Sequence, residues 1–482
     1  MISRTLCRLQ RHFRRGLHVG IIGVLPSLIG GMLVQQASYC AASQRALEQQ
    51  SIHGLQVAHG IQVASALSRV VVNGRMPFDD GAEETQWPEF LGPHGNSHAD
   101  APDLPVTWSE QEHVSWKTPI HDRGWSSPVI WDEQIWMGTA TGDGKRFYGV
   151  CVDKSTGQVQ WDLELFREEN PRFCHDMNSY ASPTPAIEAG RVYLHFGSYG
   201  TACVDTETGQ TVWSRRDLPC DHFRGPGSSP ILYGDTLIIH FDGADYQYVV
   251  ALDKATGKTV WRSDRKIDYG TDNGDFKKAY STPTIIRVGD RDQLISATSK
   301  ACLALDPRDG KEIWRIRYDE FSVTARPLVA GDRLLVNTGF GKATLICVRP
   351  TGTGDVTDSH VDWIARRNVG SKPSQVVVDS LIFGVTDEGV ATCIDLEDGS
   401  TVWTHRFEGR YSSSPLFSGR YVYFFSHDGL TTVIEPSRDF KIIATNKLDD
   451  GFMASPAVSG NSLFVRTRTH LYRLENQPGR SN

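Results

Sequence analysis

The sequence lacks an excess of positive charge. Its 50 Lys and Arg residues are outnumbered by 57 Asp and Glu residues, which gives a formal net charge of −7. A protein that binds nucleic acid or acidic lipid without sequence preference needs a basic patch or stripe. The composition therefore argues against both kinds of partner.

Several catalytic motifs are also missing. The chain contains no nucleophile elbow Gly-x-Ser-x-Gly, no zinc-binding His-Glu-x-x-His and no phosphate-binding Walker loop. Each of these motifs holds a reactive or ligand-binding group at a fixed spacing. The hydrolase and nucleotide-binding classes that use them are therefore not indicated.

A hydrophobic run from Val19 to Val34 follows a stretch with five arginines, and small residues such as Ala41 and Ala42 come after it. Residues 1–42 thus have the pattern of a signal peptide or an N-terminal membrane anchor. The run is short for the ~20 residues of a membrane-spanning helix, which favours export to the periplasm or cell envelope with cleavage. We expect membrane contact through this segment alone.

The chain divides further by pattern. Residues 43–86 look like a tether, because their pattern is mixed and they end in an acidic stretch. Residues 477–482 look like a disordered tail. The folded domain is therefore expected to span residues 87–476.

Within that domain one spacing recurs: Asp, then Gly four residues later, then Trp eight residues after the Asp. It appears five times: at Asp153, Gly157 and Trp161; Asp205, Gly209 and Trp213; Asp253, Gly257 and Trp261; Asp306, Gly310 and Trp314; and Asp395, Gly399 and Trp403. Asp and Gly suit a tight turn between strands, and a Trp at a fixed place in the next strand can wedge between neighbouring sheets. The expected docking tryptophans are Trp116, Trp161, Trp213, Trp261, Trp314, Trp363 and Trp403.

A small residue next to Pro marks the start of each unit. The eight markers are Pro128, Pro183, Pro230, Pro283, Pro327, Pro373, Pro415 and Pro456, with an average step of about 47 residues. This step is typical of four-stranded propeller blades. The sequence therefore predicts an all-β protein, an eight-bladed β-propeller of four-stranded antiparallel blades.

The last unit contains only three strands, roughly 455–458, 462–466 and 471–475. A spare strand at 113–119 precedes the first unit. Pairing the N- and C-terminal strands in one blade would close the ring and remove its free edges.

The repeat resembles the docking motif of the pyrroloquinoline-quinone (PQQ) type propellers, most clearly over residues 251–261. The lead-in Trp87-Pro-Glu-Phe-Leu-Gly-Pro-His-Gly95 resembles that of bacterial PQQ-binding-like repeat proteins, although that branch tends to carry Arg at the position of Leu91. The fold is also similar to the propeller lipoprotein of the outer-membrane β-barrel assembly machine. The resemblance covers about residues 87–475 and implies an architecture rather than an activity.

The resemblance also offers an enzyme alternative, a quinone-dependent alcohol or sugar dehydrogenase with PQQ and calcium as cofactors. Such enzymes use a pair of adjacent cysteines under the quinone, and no two cysteines are adjacent here. No Cys-x-x-Cys-His haem motif is present, and no calcium ligands can be aligned. We therefore expect no cofactor.

The loops that enter the innermost strands are rich in polar and aromatic residues. The candidate ligand-binding residues on this rim are His121, Asp122, Trp125, His175, Asp176, Asn178, Tyr180, Asp221, His222, Arg224, Lys278, Tyr280 and Arg326. The simplest interpretation is a solvated rim in which these side chains pair with one another. The alternatives are a mouth that binds a protein or small ligand, and a metal site built from His121, His175 and His222 with Asp176 or Asp221.

The cysteines fall into two groups. Cys151, Cys203, Cys347 and Cys393 share one repeat position and, like Cys302, are expected to be buried. Cys174 and Cys220 lie in successive rim loops, where export would allow a disulfide; free thiols or metal ligation are the alternatives. The favoured interpretation is an exported, non-catalytic scaffold for a protein or small ligand at the rim, with a role in cell-envelope biogenesis.

Overall fold

The structure, a computed structural model, describes residues 72–73 and 85–476. The chain divides into two units, residues 1–67 and 68–482, and every described residue belongs to the second. The signal or anchor segment (1–42), most of the tether and the tail (477–482) lie outside the described residues. Across the described ranges, no helix is long and apolar enough to span a bilayer.

Eight antiparallel sheets form the eight blades, seven with four strands and one with six, and the predicted fold class is confirmed. From the channel outward, the strands are Val129–Trp131, Gln134–Ala140, Arg146–Asp153 and Val159–Arg167 in blade 1; Ala186–Glu188, Arg191–His195, Thr201–Asp205 and Thr211–Arg215 in blade 2; Ile231–Tyr233, Thr236–Asp242, Gln247–Asp253 and Thr259–Asp264 in blade 3; and Thr284–Val288, Arg291–Thr298, Ala301–Leu305 and Glu312–Arg317 in blade 4.

The second half repeats the pattern. Its strands are Leu328–Ala330, Arg333–Asn337, Leu345–Val348 and Val361–Ala365 in blade 5; Val376–Val378, Leu381–Val385, Val390–Asp395 and Thr401–Arg406 in blade 6; Leu416–Phe417, Val422–Phe425, Leu430–Ile434 and Ile442–Lys447 in blade 7; and Ala457–Ser459, Ser462–Arg466, His470–Leu474 and Val114–Pro119 in blade 8. The only described helices are the 3-10 turn Gly274–Phe276 and the short α-helix Thr357–His360.

Blade 8 is completed by the N-terminal strand, as predicted. Val114–Pro119 pairs antiparallel with His470–Leu474, for example Lys117 with Tyr472. The first and last strands of the described propeller therefore meet in one sheet, which completes blade 8.

Blade 4 carries two extra strands. Val72–Asn73, within the segment expected to be a tether, pairs with the innermost strand Thr284–Val288. Gly354–Asp355, from the insertion in blade 5, pairs in parallel with the outermost strand Glu312–Arg317. Residues 72–73 of the segment expected to be a tether therefore pair with the propeller.

The docking tryptophan of one blade packs on the motif glycine of the next. The Trp213 indole N–H donates to the carbonyl of Lys254 at 2.9 Å, and a β-carbon on Gly257 would lie 2.6 Å from the Trp213 ring. Gly257 has φ +72°, so glycine is required there for both conformation and space. The same pairing joins Trp116 with Gly157, Trp161 with Gly209, Trp261 with Gly310, and Trp363 with Gly399.

A β-bulge between the third and fourth strands precedes this tryptophan. In blade 3, Ala251 pairs with Trp261 while Leu252 pairs with Thr259, so Val260 is left as the extra residue. The bulge turns the side chain that follows it. Arg473 lies opposite Trp116, but the residues opposite the other six tryptophans are small, and in four blades they are the buried cysteines Cys151, Cys203, Cys347 and Cys393.

A second set of contacts joins the blades at the channel. The first residue of one blade donates its backbone N–H to the side-chain hydroxyl of the equivalent residue in the next blade, at 2.9–3.0 Å. We call this the hydroxyl ring; its positions are Ser127, Thr184, Ser229, Thr282, Arg326, Ser374, Ser414 and Ser455. Blade 5 has Arg326 instead of a hydroxyl residue, and the ring is interrupted there.

The hydroxyl ring corrects two of the sequence markers. Blade 2 begins at Thr184, before Pro185, and blade 6 begins at Ser374, before Gln375. Pro183 and Pro373 therefore stand one residue before the ring position rather than one after it, as the other six prolines do. The repeated feature is the hydroxyl group, and the proline only accompanies it.

We predict that Trp261→Ala lowers the free energy of unfolding by about 3–5 kcal/mol, because a buried aromatic side chain leaves a cavity between blades 3 and 4. Trp261 is 8% exposed. Urea denaturation followed by circular dichroism measures the loss. A stability equal to that of the parent would contradict the docking role.

The motif aspartates predict an acid-labile fold. Asp253 accepts hydrogen bonds from the Thr256 hydroxyl (2.7 Å) and backbone N–H (2.8 Å), and these bonds lower the pKa of Asp253. Hydrogen bonds from Ser155 and Thr156 lower the pKa of Asp153 to about 2.

A carboxylate whose pKa is lower in the folded state stabilises the fold above its unfolded pKa of about 4, and this contribution is lost as the pH falls. The free energy of unfolding should therefore fall between about pH 5 and about pH 2, the range that spans the unfolded and folded pKa values of these carboxyl groups. In Asp253→Asn the drop in the free energy of unfolding between these pH values should be smaller. An unchanged drop would contradict the contribution of Asp253.

Candidate functional site

The end of the channel opposite the rim is closed by the lead-in segment, residues 87–101. Trp87 exchanges backbone hydrogen bonds with Ile130 at 2.8 and 2.9 Å, and Pro88 accepts one from Ile187. Further along, Ser97 and Ala99 pair with Phe417. These contacts lie on the inner strands of blades 1, 2 and 7, so the lead-in segment covers this end and a ligand would enter the channel from the rim.

Arg326 anchors the lead-in segment from within the channel. It is 1% exposed and donates to Glu89 Oε1 at 2.7 Å, to Thr284 Oγ1 at 3.0 Å, and to the Phe90 carbonyl. A β-carbon on Gly95 would collide with the guanidinium, which explains the glycine. The prediction of Arg326 as a rim residue is therefore corrected: it clamps the segment that closes the other end.

Glu89 and Arg326 form a buried ion pair. Burial raises the pKa of the Glu89 carboxyl, and the Arg326 charge and hydrogen bond act in the opposite direction. Removal of either partner would leave an uncompensated buried charge.

The channel mouth is formed by the residues two positions before the hydroxyl ring. All eight are partly exposed, whereas the residue that follows each of them is buried. They are Trp125, Ser182, Gly227, Tyr280, Thr324, Lys372, Ser412 and Met453. Two of the candidate ligand-binding residues, Trp125 and Tyr280, are among these eight positions.

His121 and Asp122 lie away from the other rim histidines. His121 Nδ1 is 2.8 Å from Asp122 Oδ2, and its Nε2 is 3.0 Å from Asp162 Oδ1. Asp162 belongs to the outermost strand of blade 1. The pair therefore sits over the body of the blade.

The loops between blades 1 and 2 and between blades 2 and 3 are joined as the sequence suggested. Asn178 Nδ2 donates to the carbonyls of Arg224 and Pro226, both at 3.0 Å, and the His175 backbone N–H donates to Arg224 O at 3.2 Å. Arg224 in turn pairs with Asp275 of the next loop. These polar residues hold three successive loops together.

Asp176 and Tyr180 also have structural contacts. The Asp176 carbonyl accepts a hydrogen bond from Arg123. The Tyr180 hydroxyl donates to the Arg172 carbonyl at 2.7 Å, and its ring contacts Phe147 edge-on at 6.3 Å. Tyr180 therefore packs on blade 1 and is not part of the mouth.

The three histidines proposed as metal ligands are not brought together. His222 is held by Ser198, whose backbone N–H donates to Nε2 at 3.0 Å, and burial lowers the pKa of His222 to about 3. His175 Nδ1 accepts the Met177 N–H at 3.1 Å. Among the described residues no group of three or more His, Cys, Asp or Glu side chains could hold a metal, so the metal alternative is not supported.

Cys174 and Cys220 are free thiols in the structure, as in the second of the three alternatives, and the possible disulfide is not formed. Cys220 Sγ lies 3.7 Å from His222 Nδ1, and Cys174 Sγ lies 3.7 Å from the Arg224 carbonyl. Burial raises the pKa of Cys174 to about 11 and raises that of Cys220 well above its ordinary value. Both thiols are therefore protonated and poorly nucleophilic.

Lys278 is buried beside Tyr280 rather than exposed on the rim. Its ammonium contacts the Tyr280 hydroxyl and lies 3.5 Å from the ring centroid. Burial lowers the pKa of Lys278 to about 7. The side chain is 1% exposed, so a ligand could reach it only if Tyr280 moved.

The residues present do not fit the PQQ and calcium alternative. Calcium is bound through six to eight oxygen ligands, carboxylates among them, and residues 85–476 contain no group of three or more His, Cys, Asp or Glu side chains that could hold a metal ion. The adjacent cysteine pair is absent from the sequence. We derive no redox step from this site.

Exposed aromatic side chains on the rim loops were missed from the sequence. Phe173 is 66% exposed, Phe223 38% and Tyr246 46%. We call these three residues the aromatic loop patch. The sequence signal for Phe173 and Phe223 was their position next to polar rim residues, because Phe173 precedes Cys174 and Phe223 follows His222.

Hydrogen bonds and an ion pair connect the three loops of this patch. Arg172 Nη1 lies 3.5 Å from Asp221 Oδ1. The Ala244 backbone N–H donates to the Asp221 carbonyl at 2.7 Å. The loops around residues 173, 223 and 246 therefore form one continuous surface.

These features define a closed propeller with one end blocked and a loop-rich, aromatic rim at the other. The sequence profile of the family described as outer membrane protein assembly factor BamB matches residues 114–246 and 245–482. The chain therefore belongs to the BamB-type propeller family.

Individual relatives are more distant. The chain is 27% identical over 193 residues to outer membrane protein assembly factor BamB of Burkholderia pseudomallei, covering 40% of this chain and 44% of that protein. It is 23% identical over 226 residues to the protein of the same name from Shewanella oneidensis, covering 46% of this chain and 50% of that protein. The chain thus spans about half the length of the curated relatives it matches.

Solved structures share the fold. BamB from Moraxella catarrhalis superposes with a TM-score of 0.54 at 13% identity, over 75% of this chain and 99% of that one. Quinohemoprotein alcohol dehydrogenase from Comamonas testosteroni gives 0.59 at 12% identity, over 83% and 82%. Similarity at this level reaches both BamB and an alcohol dehydrogenase, so it establishes the architecture alone.

We predict that Glu89→Gln lowers the free energy of unfolding by about 3–5 kcal/mol, because it leaves the Arg326 charge buried without a partner. Glu435→Gln is the control: it removes the exposed pair of Glu435 with Lys441 and should cost about 1 kcal/mol or less. Urea denaturation of both variants measures the difference. Equal losses would show that the buried pair does not anchor the lead-in segment.

Proposed function

We propose that this protein is an exported, non-catalytic scaffold that binds a protein partner in the cell envelope during outer membrane protein assembly. The observation that carries the proposal is the aromatic loop patch. Phe173, Phe223 and Tyr246 are large apolar side chains exposed on three connected loops, where nothing in the fold requires them.

The chemistry of the patch supports a protein partner. Exposed aromatic residues flanked by arginines are the composition of energetic centres in protein–protein interfaces. Arg224 lies over the Phe223 ring at 5.3 Å, and Arg172 adjoins Phe173 in sequence. Membership of the BamB-type family supports the cell envelope as the compartment and assembly proteins as the partner class.

Export is part of the same proposal. It is supported by the arginine-rich and then hydrophobic sequence of residues 1–42, which has the pattern of a secretory signal. Cleavage would release a propeller into the periplasm, whereas retention would tether it to the membrane. Sequencing the N-terminus of the protein from its native envelope distinguishes the two.

A triple variant tests the patch: Phe173→Ser, Phe223→Ser and Tyr246→Ser. Co-purification from the cross-linked cell envelope should recover a defined partner with the parent protein. Removal of one side chain that contributes about 2 kcal/mol to the binding free energy already weakens binding about 30-fold. The triple variant should therefore lose the partner while its melting temperature stays unchanged.

Phe340→Ser is the matched control. Phe340 is 60% exposed, but it belongs to a hairpin of blade 5, where it contacts Phe321. This variant should retain the partner. If the triple variant recovers as much partner as the parent, the patch is not the binding surface.

A further inference from the structure

Arg466 is a buried cation that joins the last blade to the first. It ends the second strand of blade 8 and is 2% exposed. Its Nη1 atom donates to the carbonyls of Ser126 at 2.9 Å and Gly138 at 2.8 Å, both in blade 1. Two neutral carbonyl groups are thus its hydrogen-bond partners.

This guanidinium has no carboxylate partner, unlike the other buried arginines. Arg265 pairs with Asp242 at 2.6 Å, and Arg326 pairs with Glu89 at 2.7 Å. Arg466 forms no ion pair within residues 85–476, and its buried Nε atom has no hydrogen-bond partner. Burial alone lowers the pKa of Arg466, to about 9.

An unpaired buried charge is costly, because the protein interior replaces its hydration poorly. The fold supplies a carboxylate to two comparable arginines and none to this one. An anion from solution would remove the cost.

Arg466 packs against Gly124, the residue that precedes Trp125 of the channel mouth. A β-carbon on Gly124 would lie 2.6 Å from Nη2, so the guanidinium lies directly against the glycine backbone. The next residue, Trp125, lines the mouth, and its indole N–H is buried without a hydrogen-bond partner. Guanidinium and indole groups are donors without acceptor capacity, and such a set suits an oxyanion.

We propose that the channel mouth between blades 8 and 1 binds a small oxyanion, a phosphate or carboxylate group, through Arg466, with the Trp125 indole N–H as a second donor. The site is carried by residues outside the aromatic loop patch. It therefore stands whether or not the patch binds a protein.

Thermal unfolding in phosphate or in acetate, with chloride making up a constant ionic strength, tests the proposal. The parent should show a saturable rise in Tm of about 2–4 °C in at least one of the two series. The series that saturates at lower concentration identifies the preferred oxyanion.

Three variants assign the effect. Arg466→Lys keeps a cation but loses the planar donor fork, and Trp125→Phe keeps a ring but loses the N–H; each should raise the concentration at half-saturation about tenfold or more. Arg468→Gln is the matched control, because Arg468 is two residues away but pairs with Asp450, and it should bind like the parent.

Arg466→Lys retains the charge and is chosen over a neutral variant that could fail to fold. The proposal is overturned if the parent shows only the unsaturated rise that excluded salts produce in any protein. It is also overturned if Arg466→Lys saturates at the same concentration as the parent.

Discussion

The fold depends on one contact that is repeated around the channel, the hydrogen bond from the first backbone N–H of a blade to the hydroxyl of the next. Each of these N–H groups begins a short inner strand and is buried, so it needs a partner that its own blade does not supply. Ser455 donates to Ser127 at 3.0 Å across 328 residues of sequence, and this bond joins the last blade to the first. The pairing of Val114–Pro119 with His470–Leu474 closes the same seam at the outer edge.

The single interruption of the hydroxyl ring contributes to the attachment of the lead-in segment at one end of the channel. Arg326 provides no hydroxyl at its ring position, and its long side chain instead extends to Glu89 and the Phe90 carbonyl. Because the lead-in segment is fixed at that end, the rim is the end left for ligands and partners. The residue that departs from the repeated pattern thus adds a buried ion pair to the backbone hydrogen bonds that hold this segment.

The sequence predicted the blades because the groups that define them recur at fixed spacing. Asp253 indicates a turn, Gly257 indicates a close approach of the backbone, and Trp261 indicates a side chain that packs between blades. Each of these requirements is local to one repeat. It could not show that Gly257 serves Trp213 of the preceding blade, since that contact is formed by folding. Pro183 misled for a related reason: two prolines flank Thr184, and only the hydrogen bond from Ser127 to Thr184 identifies the ring position. No residue in the sequence of blade 5 indicated the direction in which the Arg326 side chain extends.

The rim shows why residue types alone did not define the site. His, Asp, Asn and Arg are residues of catalytic and metal centres, and their concentration there suggested chemistry. In the structure their polar atoms are used within the loops: Asn178 binds two carbonyl groups and Arg224 binds Asp275. Long loops over a propeller have few strand partners, so side chains must satisfy their backbone groups. Among the side chains that remain exposed on these loops are the aromatic residues Phe173, Phe223 and Tyr246, so the surface offered to a partner has an apolar component beside its charged residues.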